Sequence, residues 1–211
     1  MRLAQLNAGM RERIFVATVL ALLVSNGGFA QKQELGLTMG RILGTERSLG
    51  ATTASTGSGL ALQANYDYRL VDGDWIALYA EANMLANPLR EVASTNGAVT
   101  RDYASLYLTS GFRVKLMPDA RLSPFTFVGG GLAWYEQSTT NLAGSANGAP
   151  RNLYRGAVTF GAGADLVVRS WLALRGEVRD FYTGSPAYNV AIAGGQHNLS
   201  LTGGFVLRWG E

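Results

Sequence analysis

Hydrolytic chemistry needs a nucleophile held beside a base, and the sequence offers a single imidazole, His197, with Ser200 as the nearest hydroxyl. On an extended strand, residues three apart point to opposite faces, so these two do not form a nucleophile–base couple. Ser138 and Ser185 could approach His197 only through loops. The absence of Cys removes thiolate metal sites, cysteine nucleophiles and disulfide frameworks together, and one His cannot build a histidine metal cluster. Residues 161–166 (GAGADL) have the glycine content of a phosphate-binding loop, but no helix follows to supply its dipole. Asp72, Asp74 and Asp119 fall in turn-like stretches, where Asp bonds to local backbone. No catalytic residue, cofactor or metal is assigned, and His197 is read as an interfacial residue. What remains is charge at every second position. Asp165 lies on one segment, and Arg175, Glu177 and Arg179 lie on the next. Asp67, Glu81, Arg113, Lys115 and Arg208 repeat the arrangement elsewhere. Those residue types at that spacing can pair across neighbouring strands.

The elements that position these charges are strands. Period-two alternation recurs over about ten residues, which is the strand signature. In 60–70 (LALQANYDYRL), Leu60, Leu62, Ala64, Tyr66, Tyr68 and Leu70 share one face, opposite Ala61, Gln63, Asn65, Asp67 and Arg69. The same pattern predicts strands over 35–43, 75–85, 103–116, 154–168, 171–182 and 197–209. An eighth, over 124–136, begins on Pro124 as a strand can, but its glycines leave its facing open. The connections alternate in length. Residues 44–58, 86–101, 137–151 and 184–195 are long, whereas 71–74, 117–121 and 169–170 are short.

The first thirty residues read as an address. Arg2, Arg11 and Arg13 precede an uncharged apolar run over 14–24, and Gly28 and Ala30 occupy the −3 and −1 positions of a cleavage site. The run is shorter than the roughly 18–20 residues of a membrane span. A signal peptide over 1–30, cleaved after Ala30, and one barrel domain over 31–211 are therefore expected. The whole chain carries a formal charge of +3, but residues 31–211 hold fifteen basic against fourteen acidic residues, a net charge of +1. The basic character belongs largely to the leader, which argues against a nucleic-acid partner.

Alternation alone does not say which face is inside. A soluble lipocalin-like barrel puts its apolar face around a ligand. A membrane barrel turns that face to lipid. Strictly alternating loop lengths put every short turn at one rim and every long loop at the other, the form of an outer-membrane barrel. Strands of about ten residues span an apolar band of about 25 Å. Lysine is scarce on the polar faces, Lys32 and Lys115 being the only ones after residue 30. Tyr66, Tyr68, Trp134, Tyr135, Tyr154, Tyr182 and Trp209 gather at strand ends, as aromatic girdles do. The expected fold is an all-β, eight-stranded antiparallel up-and-down transmembrane β-barrel, monomeric, with both termini periplasmic.

The C-terminus carries the pattern polar, any, Gly, two of any, apolar, any, aromatic at Thr202, Gly204, Leu207 and Trp209, followed by Gly210 and Glu211. With the hairpin over 160–177 (FGAGADLVVRSWLALRGE), this makes essentially all of 31–211 resemble the small eight-stranded outer-membrane β-barrel family, the OmpA/OmpX-type transmembrane domain. The family usually ends on the aromatic residue itself. The resemblance implies an assembly signal read by the barrel-assembly machinery during insertion, with outer-membrane lipid around the wall. Some barrels of this size are lipid A-modifying hydrolases, a chemistry that His197 and Ser200 do not support.

A narrow eight-strand lumen is filled by side chains, and buried charges persist when paired. Asp67, Glu81, Arg113, Lys115, Asp165, Arg175, Glu177, Arg179 and Arg208 are therefore expected to form a lumenal ion-pair network that plugs the barrel. The expected role is structural or interactive: envelope integrity, or contact of an extracellular ligand with loops 44–58, 86–101, 137–151 and 184–195. A small channel and a lipocalin-like carrier are the alternatives.

Overall fold

A computed structural model describes residues 33–49, 52–186, 188–189 and 194–210. The expected signal peptide and its cleavage at Ala30 lie outside the described residues. Ten strands follow in chain order: β1 (Gln33–Ile42), β2 (Thr45–Leu49), β3 (Thr52–Thr56), β4 (Gly59–Val71), β5 (Ile76–Ser94), β6 (Asp102–Leu116), β7 (Leu122–Gln137), β8 (Asn152–Arg169), β9 (Leu172–Gly184) and β10 (Gly195–Trp209).

Eight of them close a ring. From β4 to β10 each strand pairs antiparallel with the next, and β1 closes the circle by pairing with both β10 (Gln33↔Trp209) and β4 (Gln33↔Tyr68). Closure satisfies every strand edge, the condition for crossing a membrane with strands. Strand rise then carries about ten residues of each tilted strand across the apolar band.

Residues 44–58 are not an irregular loop, as the sequence reading has them. The Thr-rich stretch forms β2 and β3, and β3 pairs with the far end of β5 (Ala54↔Ser94, Thr56↔Val92). Threonine is β-branched and suits a strand. Strand β5 correspondingly runs nine residues past its expected end at residue 85, so the expected loop 86–101 shortens to 95–101. A register shift between Asn87 and Arg90 lets it do so. Pro88 and Leu89 both face outward at that bulge, and the inward positions change from odd (Leu85, Asn87) to even (Arg90, Val92).

The outer wall is apolar. Leu62, Met84, Leu108, Phe112, Val128, Leu132, Val158, Leu174, Val178 and Leu201 are all exposed. Trp75, Trp171 and Trp209 mark the rim of the short turns, and Trp134, Tyr154 and Tyr182 the opposite one. Tyr135 does not belong to the girdle. It is fully buried, because β7 turns its odd residues, Phe125 and Phe127 among them, into the lumen. That settles the facing the glycines left open. Arg155, expected inward, is exposed at the rim, where its Nε donates to Ser185 O at 3.2 Å.

Candidate functional site: a charged lumen beneath a tyrosine cap

The half of the lumen nearer the short turns holds charge. Register brings the partners together: Asp165 sits opposite Arg175 across β8–β9, and Asp67 opposite Glu81 across β4–β5. Arg175 grips Asp165 with two bonds, Nε to Oδ1 at 2.7 Å and Nη2 to Oδ2 at 2.8 Å. It also reaches Asp67 Oδ2 at 3.1 Å and Glu34 Oε2 at 3.2 Å. Arg113 bonds Asp67 Oδ2 at 3.0 Å, Glu177 Oε2 at 3.4 Å, and Glu81. Arg179 holds Glu81 Oε1 and Glu177 Oε1, each at 2.7 Å. Lys115 Nζ lies 2.7 Å from Glu34 Oε2 and 2.8 Å from Asp165 Oδ2, and Arg208 Nε lies 3.2 Å from Glu34 Oε1.

Five carboxylates thus meet five cations in one connected network. All are buried except Arg208, which is partly exposed at the rim. Desolvating such charges costs several kcal/mol per ion and is offset only where pairing and hydrogen bonding are good. The shared, partly bidentate geometry supplies that compensation. All nine charged residues singled out from the sequence converge here. Glu34 was missed, although its parity on β1 opposite Leu35 and Leu37 was a readable signal.

Aromatic rings complete the packing. Arg113 Cζ lies 4.3 Å from the Phe125 centroid, Arg175 Cζ 4.9 Å from the same ring, and Arg179 Cζ 3.7 Å from that of Phe127. Glycines make the room. A Cβ on Gly163 would fall 2.5 Å from Phe125 Cζ, and one on Gly161 would fall 2.6 Å from Phe127 Cζ.

The other half of the lumen is aromatic and polar. Tyr103, Tyr107, Tyr135 and Phe181 form a contiguous cluster, with Tyr107 stacked on Phe181 at 4.5 Å. Tyr188 comes from the 185–194 connection, is fully buried, and packs edge-on against Tyr103 at 6.0 Å. Its hydroxyl donates to Gln196 Oε1 at 2.7 Å, and burial pushes its phenol well above the ordinary tyrosine value. Backbone bonds tie the long connections together: Thr100 N to Tyr188 O (3.1 Å), Leu142 N to Val99 O (2.9 Å) and Arg101 N to Thr140 O (3.3 Å).

The structure does not join His197 to Ser200. Ser200 faces the lumen and donates to Arg179 O at 3.1 Å, whereas His197 faces outward with Nδ1 2.5 Å from Asp180 Oδ2. Of the C-terminal pattern, Thr202 and Gly204 point inward and Leu207 and Trp209 outward, all on β10 beside the β1–β10 seam. No group of three or more His, Asp or Glu able to hold a metal occurs among the described residues.

No family model matches the chain, and no curated protein does. Two solved structures share the architecture. Neisserial surface protein A (NspA) superposes with a TM-score of 0.52 at 15% identity, over 86% of this chain and 99% of that one. Ail, the attachment invasion locus protein of Yersinia pestis, gives 0.51 at 8% identity, over 86% and 100%. With a closed antiparallel ring, an apolar outer wall and this likeness, the chain has the fold of the small eight-stranded outer-membrane β-barrels.

Proposed function

We propose that the protein is an outer-membrane barrel with both termini periplasmic, its lumen plugged by ion pairs, serving envelope integrity or surface contact through its extracellular loops. The observation that carries this reading is the inversion of the molecule: paired charges fill the inside while leucine, valine and phenylalanine cover the outside. That distribution suits lipid around the wall and no bulk solvent within. Binding specificity commonly resides in loops carried by a rigid scaffold, and the long connections all leave the same rim. NspA is by its name a surface protein and Ail by its name an attachment protein, which supports a contact role. Folding and insertion would pass through the barrel-assembly machinery by way of Thr202, Gly204, Leu207 and Trp209, after cleavage at Ala30. Neither a nucleic-acid partner nor a catalytic role is part of this reading.

Fractionation and conductance test it together. The protein is expected in the detergent-extracted outer membrane, with heat-modifiable gel mobility and no sustained conductance in a planar bilayer. Recovery from the soluble periplasm would favour a carrier instead, and large wild-type conductance would overturn the plug.

A further inference from the structure

One cation stands apart from the network. Arg90 lies just beyond the β5 bulge and is fully buried. Every group it touches is neutral. Nε donates to Gly57 O at 3.3 Å, Nη2 to Leu43 O at 2.8 Å and Thr56 Oγ1 at 2.9 Å, and Nη1 to Asn198 Oδ1 at 3.0 Å. The Tyr103 ring lies 5.7 Å from its Cζ. No carboxylate of the described residues pairs with it. Clamping the β2–β3 hairpin explains the carbonyl contacts but not the charge, since a neutral donor would serve the same acceptors. A buried guanidinium without a counter-charge carries an uncompensated desolvation cost.

Register places Arg90 opposite Tyr103, Tyr103 opposite Gln137, and Thr183 opposite Gln196. With Asn198 these residues ring the mouth at one level. Gln137 is buried, yet neither amide atom has a hydrogen-bond partner, and the Tyr107 hydroxyl and Ser105 Oγ just below are likewise unpartnered. Polar groups this deeply buried are normally satisfied. Tyr188 sits over the ring as a stopper, borne by a connection rather than by the barrel wall.

We propose that this ring is a binding chamber for a compact oxyanion, a carboxylate or sulfate group carried by a small ligand, and that Tyr188 closes it. Arg90 supplies the charge, and Gln137 and the nearby hydroxyls supply donors. Tyr188 competes with the ligand for the mouth, so affinity is reduced by the fraction of molecules in which it is seated.

The chamber is tested by equilibrium dialysis of the refolded, detergent-solubilised protein against radiolabelled sulfate at constant ionic strength, with acetate as competitor and glucose as the uncharged control. Because this assay requires neither a membrane nor a cell, its failure is separate from failure of the outer-membrane reading. Tyr188→Gly is expected to bind one sulfate per chain, tighter than wild type by on the order of tenfold or more. Acetate should compete and glucose should not. Arg90→Gln in the Tyr188→Gly background should abolish binding, and Gln137→Leu in that background should weaken it several-fold. If Arg90→Gln fails to fold, judged by gel mobility, the Gln137→Leu result decides. Absence of saturable binding by Tyr188→Gly would overturn the proposal, as would binding that survives both substitutions.

Discussion

Arg179 stands 3.7 Å from the centroid of the Phe127 ring while its guanidinium bonds Glu81 and Glu177, each at 2.7 Å. One side chain is thereby fixed by two carboxylates and an aromatic face. The ring fits because Gly161, on the neighbouring strand, has no side chain to meet it. The plug is thus a packing solution as much as an electrostatic one.

Removing one member should expose that coupling. Arg175 serves Asp165, Asp67 and Glu34, so Arg175→Met leaves three buried carboxylates with fewer partners. A loss of about 3–5 kcal/mol is expected in urea unfolding from lipid vesicles, the usual cost of breaking a buried pair. Arg151→Met removes only the exposed contact with Glu136 and should cost under about 1 kcal/mol. Equal losses for the two variants would contradict the network's role in stability.

Much of this was readable in the sequence. Strict alternation located eight strands and put nine charged residues on one side of the wall. The misses share a cause: parity is lost wherever the alternation is interrupted. The bulge between Asn87 and Arg90 reverses the inward phase of β5, so neither the extension of that strand nor the inward Arg90 can be extrapolated from residues 76–85. Gly129, Gly130 and Gly131 erase the pattern within β7, so Tyr135 resembles a girdle residue when it lines the lumen. Tyr188 packs into the mouth by tertiary folding of a connection, and no local pattern encodes that.

Glycine at the plug makes a steric prediction. A Cβ at Gly163 would approach Gly176 O to 2.4 Å and the Phe125 ring to 2.5 Å, whereas one at Gly156 meets nothing within 4 Å. Gly163→Ala should destabilise by about 1–3 kcal/mol and reduce the folded fraction on heat-modifiable gels. Gly156→Ala should assemble like wild type. Indifference of the barrel to both changes would mean that β8 and β9 are not packed as described.

Loop topology can be read on intact cells. Protease should cut within 95–101, 138–151 or 185–194, where the chain leaves the rim of the long connections. It should spare 72–75, 117–121 and 170–171 until the outer membrane is breached. Cuts confined to the short turns would reverse the orientation.

His197 provides the test of chemistry. Its Nδ1 contact with Asp180 gives it an orienting carboxylate, but Ser200 lies on the other side of the wall, bonded to Arg179 O. A base without a nucleophile in reach does not complete an acyl-transfer site. Cells expressing His197→Ala should therefore show the same lipid A species by mass spectrometry as cells expressing wild type. Loss of a deacylated species that appears only with the wild-type protein would instead place a hydrolase at the outward face of β9 and β10.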